Sequence, residues 1–307
     1  MNGSLGMRTA LSVGLALVIL FVPFSWLVGG ENLDERFPPE SQREIRGTLI
    51  QQLATAGYDP TLIRTLLYDQ RWQLSLRVLE KNLIYRETKA DYSHFLSSRS
   101  TALARGFLEE NQVFLQETER EYRVEKEIIV AILLIESAFG RYAEKYRIFN
   151  ALCSLSQANH PEVLRISYDY LKASYPELTE DYLKKRAERK SRWAFEELKA
   201  LLEIGIRQDL DLLELRGSFA GAFGLPQFIP TSYLAYGADG NGDNTIHLHD
   251  RYDAIVSVAN YLKAHGWKSG LTEKGMMKVL LRYNRSTLYG ETVLKCAGKL
   301  KNYQASS

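Results

Sequence analysis

The 307 residues carry 39 Lys and Arg against 37 Asp and Glu, a formal charge of +2, and 45% of them are apolar or aromatic. That composition fits one large or two modest globular domains, and it excludes a disordered or collagen-like chain. Near-neutral charge without a long Lys/Arg block excludes a protein that tracks a nucleic-acid backbone.

Arg8 precedes an uncharged, mostly apolar run from Thr9 to Val28, after which Gly29 and Gly30 lead into Glu31, Asp34, Glu35 and Arg36. This is an export segment. It is either a signal peptide over residues 1–30 or an uncleaved anchor in the inner membrane through residues 9–28, since roughly 20 apolar residues span a bilayer. No cysteine lies nearby to take a lipid.

Apolar residues then recur at helical spacing in Ile45, Leu49, Ile50 and Leu53, and again in Leu62, Ile63, Leu66 and Leu67, with Gly57 and Pro60 as punctuation. Trp72, Leu74, Leu76 and Val78 alternate, so Arg71–Leu83 fits a short strand or an extended connector. Asp91–Tyr122 predicts two packed helices, Glu127–Phe139 a third, Glu162–Ser174 a fourth opened by Pro161, and Trp193–Ile206 a fifth. From Gly217 the chain turns to Gly, Ala, Ser, Pro and aromatics, then to an Asp/Asn/Gly loop. Helices return over Tyr252–Ala264, Met276–Tyr283 and Tyr289–Leu300. The fold is mostly α, with one irregular Gly-rich segment.

Cys153 and Cys296 are the only cysteines. They could pair in an oxidising compartment, but a single pair sets no spacing framework, and two buried small apolar residues are the preferred reading. With no CxxC, no HExxH and no nucleotide-site glycine pattern, zinc, haem and dinucleotide chemistry have no support.

The run IIVAILLIESAFG holds one charge, Glu136, whose helical neighbours are Ile132, Leu133, Phe139 and Gly140. A carboxyl on an apolar stripe is pushed toward its protonated form, which suits a general acid; a carboxylate snorkelling to water or paired with Arg141 or Arg147 is the structural alternative. In GSFAGAFGLPQF, small residues leave the backbone bare, either for a ligand to approach or for tight packing. Ser218 and Gln227 add neutral hydrogen-bonding groups suited to sugars. Lys184, Lys185, Arg186, Arg189, Lys190 and Arg192 form a basic stretch, a solvated helix face or a site for anionic groups.

DGNGDNTIHLHD, residues 239–250, fits a twelve-residue EF-hand-like calcium loop with Asp239, Asn241, Asp243, Thr245 and Asp250 as ligands. Asn244 stands where Gly is usual and tolerates the left-handed turn, while Asp250 is shorter than the usual Glu. His247 and His249 read as loop surface, because no third ligand for a transition metal is evident. Tyr261, Tyr283 and Asn284 offer aromatic faces and polar tips of the kind that hold sugar rings.

Taken together, these segments resemble the membrane-bound lytic transglycosylase B family. The likeness starts at Tyr92 and Phe95 and runs through Gly106, Phe107, Asn111, Val124 and IIVAILLIESAFGRY. It is strongest from GSFAGAFGLPQFIPTSY through SVANYLKAHGW, and resumes at RYNRSTLYGETVL. The resemblance implies a lysozyme-like catalytic core over residues 91–307 behind a helical segment over 31–90. It maps the catalytic acid onto Glu136 and wall-binding residues onto Ser218, Gln227, Tyr261, Tyr283, Asn284 and Tyr92. The basic pair of the family falls on Arg189 and Lys190, where Lys cannot reproduce a bidentate Arg contact. Fewer residues separate Trp267 from Tyr283 than in the best-known members.

The implied reaction cleaves the β-1,4 bond from N-acetylmuramic acid to N-acetylglucosamine in peptidoglycan strands. It leaves 1,6-anhydro ends, uses no catalytic cofactor and carries a structural calcium. The resemblance also implies a monomer in the periplasm of a Gram-negative bacterium. A goose-type lysozyme, in which water attacks, and a non-catalytic wall-binding protein are the alternatives.

Overall fold

The computed structural model describes residues 37–84, 91–142 and 144–304. The export segment expected over residues 1–30 lies outside them. Among the described residues, no helix is long and apolar enough to cross a membrane.

Two helices form the centre. In α6 (Lys126–Ser137), every residue from Glu127 to Ser137 is buried, and in α7 (Ile148–Ser156) all nine are. A helix apolar all round belongs in the interior.

Around them lie α1 (Pro39–Thr55), α2 (Pro60–Tyr68), α3 (Leu76–Leu83), α4 (Ser98–Glu110), α5 (Gln112–Tyr122), α8 (Pro161–Ser174) and α9 (Glu180–Gln208). The C-terminal part adds α10 (Pro230–Tyr236), α11 (Arg251–Ala264), α12 (Glu273–Tyr283) and α13 (Thr287–Gln304). Helix α6 packs chiefly on α13 and also on α4, α5 and α11, whereas α7 lies along α9 with α3 beside it. One hydrophobic cluster runs from Phe37 to Leu300. Two short strands, β1 (Tyr146–Arg147) and β2 (Arg216–Gly217), pair antiparallel and bring the start of the Gly-rich segment beside α7.

Helix starts follow the side chains that satisfy their free N–H groups. Ser75 accepts from the Val78 amide, Ser97 from Ser100, Thr179 from Tyr182, and Asp250 from Tyr252 and Asp253. The alternating segment around Trp72 is no strand: a connector leads to the Ser75 cap, and Leu76 and Val78 are already helical. Helix α9 begins at Glu180 rather than Trp193, because its first half buries only Leu183, Ala187 and Ser191, a stripe too small to register as apolar periodicity. Both α7 and α10 are absent from the sequence reading, one because burial on all sides leaves no period, the other because Pro230 and a brief span hid it in the Gly-rich segment.

Candidate active site

Glu136 sits in the last turn of α6, which stops abruptly. Ala138, Phe139 and Gly140 all take left-handed backbone angles, with φ of 48°, 59° and 81°. Two contacts hold this turn: the Ser137 hydroxyl donates to the Leu225 carbonyl at 2.8 Å and accepts from the Gly140 amide at 3.0 Å. The helix end is thereby fixed to the Gly-rich segment, and Phe139 stacks on Phe107 with ring centroids 4.1 Å apart.

The Glu136 side chain is buried, and burial pushes its carboxyl up to about 8; the Tyr289 hydroxyl, which donates to Oε1 at 2.7 Å, pulls the other way by favouring the ionised form. At neutral pH the group is protonated and can give a proton away. The ion pair with Arg141 or Arg147 does not form, since Arg147 instead reaches Glu214 and the Leu213 carbonyl.

An aromatic wall backs this carboxyl. Tyr289 stacks parallel to Tyr283 at 6.3 Å and meets Tyr92 edge-on at 6.1 Å, and Tyr283 meets Tyr261 edge-on at 4.8 Å. Two hydroxyls bond backbone carbonyls, Tyr261 to Arg282 and Tyr283 to Pro226. Burial raises the pKa of Tyr261, Tyr283 and Tyr289, with the Glu136 charge adding to the rise at Tyr283 and Tyr289. The wall is therefore neutral and held by its own packing. Asn284 is buried at its edge; Oδ1 accepts from the Ser286 amide, while Nδ2 has no protein partner.

The Gly-rich segment is bare for a packing reason. A Cβ at Gly224, which has a φ of +75°, would fall on the Leu248 Cβ, and one at Gly217 would fall on the Ala222 carbonyl oxygen. The room left by these hydrogens is filled by the protein itself. Ser218 closes the turn, its Oγ accepting from the Ala220 and Ala222 amides at 3.3 and 3.1 Å, which leaves its proton to donate. Gln227, with a left-handed φ of 49°, donates from Nε2 to the Gly224 carbonyl at 2.9 Å and to Glu144 Oε1 at 3.0 Å.

The basic pair lies on α9. Arg189 is exposed, and Lys190 reaches Asn82 Oδ1 at 3.4 Å and lies over the Trp193 ring. Asn82 in turn donates to the Phe219 carbonyl, so Lys190 is tied through it to the Gly-rich segment. In the 239–250 loop, Asp239 accepts from the Gly242 and Asn244 amides, Asn241 from Asp243, and Asp243 from Thr245. Asn244 adopts the left-handed conformation expected of it, with φ of 65°. Asp250 caps α11 through Oδ1, and the fully buried Asp253 fastens the loop by accepting from the Gly240 and His247 amides. Among the described residues, no three His, Cys, Asp or Glu side chains are grouped to hold a metal.

The family model described as the transglycosylase SLT domain matches residues 41–276. The chain belongs to this family. Over 149 residues, 48% of the chain, it is 40% identical to membrane-bound lytic murein transglycosylase B of Escherichia coli, and the match spans 34% of that relative's length. Its fold matches the soluble lytic transglycosylase SltB1 from Pseudomonas aeruginosa, with a TM-score of 0.67 at 24% identity over 85% of this chain and 99% of that one. The Escherichia coli lytic transglycosylase Slt35 in complex with bulgecin A is similar, with a TM-score of 0.65 at 23% identity over 86% and 93%. The mostly helical, lysozyme-like architecture expected from the sequence is the fold of these lytic transglycosylases.

Glu136, Tyr92, Tyr261 and Tyr283 come together around Tyr289 at the end of α6. Ser218 and Gln227 lie on the Gly-rich segment to which that helix end is bonded, and Arg189, on the exposed face of α9, does not join them. Two members of the cluster were missed. Tyr289 opens the last helix expected from the sequence, and nothing local marks it as a partner of Glu136. Glu144 carries no periodic signal at all. Its two carboxylate oxygens bind Gly224 and Gln227 on one side and His249 Nε2, at 2.7 Å, on the other. His249 is thus an ion-pair partner with a raised pKa, chiefly through its hydrogen bond to Glu144. Cys153 and Cys296 are both buried and free.

Proposed function

We propose that this chain is a lytic murein transglycosylase, cleaving the β-1,4 bond between N-acetylmuramic acid and N-acetylglucosamine and leaving 1,6-anhydro ends. The observation that carries this reading is the buried, protonated carboxyl of Glu136 at the end of α6, hydrogen-bonded to Tyr289. Glu136 gives its proton to the leaving glycosidic oxygen. Once ionised, it is stabilised by the Tyr289 hydroxyl and takes the proton of the muramic C6 hydroxyl, which attacks C1 of the same sugar. A hydroxyl already held beside C1 outcompetes water through its effective concentration. One carboxyl serves both halves because burial favours its neutral form while the tyrosine favours its charged one.

Ser218, Gln227 and Asn284 supply neutral hydrogen bonds to the sugars, and Arg189 and Lys190 face anionic groups farther along the strand. A fold neighbour at 20% identity, SltB3 from Pseudomonas aeruginosa, was solved with NAG-anhNAM-pentapeptide, an anhydro sugar of the kind proposed as product. Calcium would bind the 239–250 loop through Asp239, Asn241, Asp243, the Thr245 carbonyl and Asp250; the three carboxylates are not yet grouped around one point and would close on the ion. The support is the inward turn of the first three side chains onto the loop amides and the left-handed Asn244. The site of action is the periplasm, reached through the apolar run at residues 9–28.

The test is incubation with purified peptidoglycan followed by mass spectrometry of the fragments. Anhydro ends are expected, with Glu136→Gln slower by about 10²–10⁴-fold, the span of general-acid contributions. Reducing ends would make the protein a hydrolase, and intact glycan with both proteins would end the enzymatic reading.

A further inference from the structure

Gln227 donates both amide protons inside the protein, and the identity of the acceptors fixes which way its amide faces. One acceptor is the Gly224 carbonyl and the other is Glu144 Oε1, at 2.9 and 3.0 Å. Neither can donate, so the NH₂ end must lie there and the carbonyl oxygen is the group left over. The same Glu144 oxygen accepts from the Gly224 amide at 2.8 Å, and the other carboxylate oxygen pairs with His249 at 2.7 Å. Glu144 therefore joins three segments: its own loop after α6, the Gly-rich turn, and the end of the 239–250 loop.

We infer that Glu144 is a positioning residue that locks the Gln227 amide so that Gln227 meets the substrate as a hydrogen-bond acceptor, selecting a donor such as the N–H of an acetamido group or a sugar hydroxyl. This rests on the proposed sugar-binding role of Gln227. Without Glu144 the amide loses an acceptor for one proton, is free to turn over, and presents donor and acceptor ends alternately.

The experiment combines kinetics with a readout that needs no activity. On purified peptidoglycan, Glu144→Ala and Gln227→Ala are each expected to lower kcat/KM by about tenfold, mainly through KM, and the double variant to lose no more than either alone. Glu144→Gln keeps an acceptor oxygen at the same reach and is expected to recover to within about threefold of the parent. In parallel, ¹⁵N spectra of the full chain should show the Gln227 side-chain NH₂ signals displaced by the carboxylate, the displacement disappearing in Glu144→Ala and also changing in Glu144→Gln. Multiplying effects in the double variant, an unchanged kcat/KM for Glu144→Ala, or Gln227 signals indifferent to position 144 would each overturn the inference. If the parent protein leaves peptidoglycan intact, the proposed function fails; the NH₂ signals then decide the amide orientation, and calorimetric titration with tri-N-acetylchitotriose decides the sugar contact by the same single and double variants.

Discussion

Glu136 illustrates how far one residue's surroundings set its chemistry. The apolar stripe around it predicted a carboxyl biased toward its neutral form, and the folded protein realises that bias with a value of about 8. The bias has a stability consequence whose sign is fixed. A carboxyl with a raised folded pKa binds more protons in the native state than in the unfolded one, so native stability falls as pH rises from about 4.5 through about 8. Glu136→Gln has no charge to bury and keeps an acceptor for Tyr289. Its stability is expected to gain on the parent's across this window, by a few kcal/mol at the upper end on the scale of about 1.4 kcal/mol per pK unit, and then to level off, read as a widening difference in melting temperature. Parallel melting curves from pH 5 to 8.5 would contradict it. Tyr289→Phe acts in the opposite direction: loss of the hydrogen bond that favours the ionised form raises the Glu136 pKa further, so the alkaline limb of the pH–rate profile should move upward as maximal kcat falls. An unmoved limb would mean that Tyr289 does not govern this carboxyl.

At the scale of elements, the site depends on how α6 ends and on what the Gly-rich segment packs against. Three left-handed residues turn the chain immediately after Glu136, and Ser137 bonds that turn to Leu225. Gly224 is doubly constrained, since a methyl group there meets the Leu248 Cβ and the backbone has a φ of +75°. Gly224→Ala is expected to cost about 2–4 kcal/mol, from overpacking and strain together, and to lower Tm by several degrees. A Tm within one degree of the parent would show that the 239–250 loop yields easily. The sequence had marked these glycines as either bare for a ligand or small for packing. The structure decides for packing at Gly217 and Gly224, because the neighbours that fill the space come from the protein's own backbone and Leu248.

Across the whole molecule, one core joins the helices before residue 85 to those after residue 91, with α3 packed on α7, α8 and α9. The 239–250 loop sits at the edge of this core, roofed onto α11 by the buried Asp253 and onto the site by the His249–Glu144 pair. An ion bound there would favour the native state by mass action. Calcium is expected to raise Tm by several degrees and a chelator to reverse the gain, whereas identical melting curves would leave the loop as an Asx-rich turn only.

The sequence by itself determined the helical class, most of the peripheral helices and the candidacy of Glu136, because each of these is written in residues three or four apart on one element. Its motifs also marked Ser218, Gln227, Tyr261 and Tyr283 through their likeness to a known family. It could not show α7, whose burial on every side erases the period that reveals a half-exposed helix. Nor could it show Tyr289 or Glu144, which reach their partners across 153 and 83 positions of chain. Such contacts exist only once topology has brought α13 against α6 and the loop after α6 against the Gly-rich turn. Tertiary structure alone decided them, since a hydrogen bond of this kind depends on where two backbones pass and leaves no spacing for a local pattern to record.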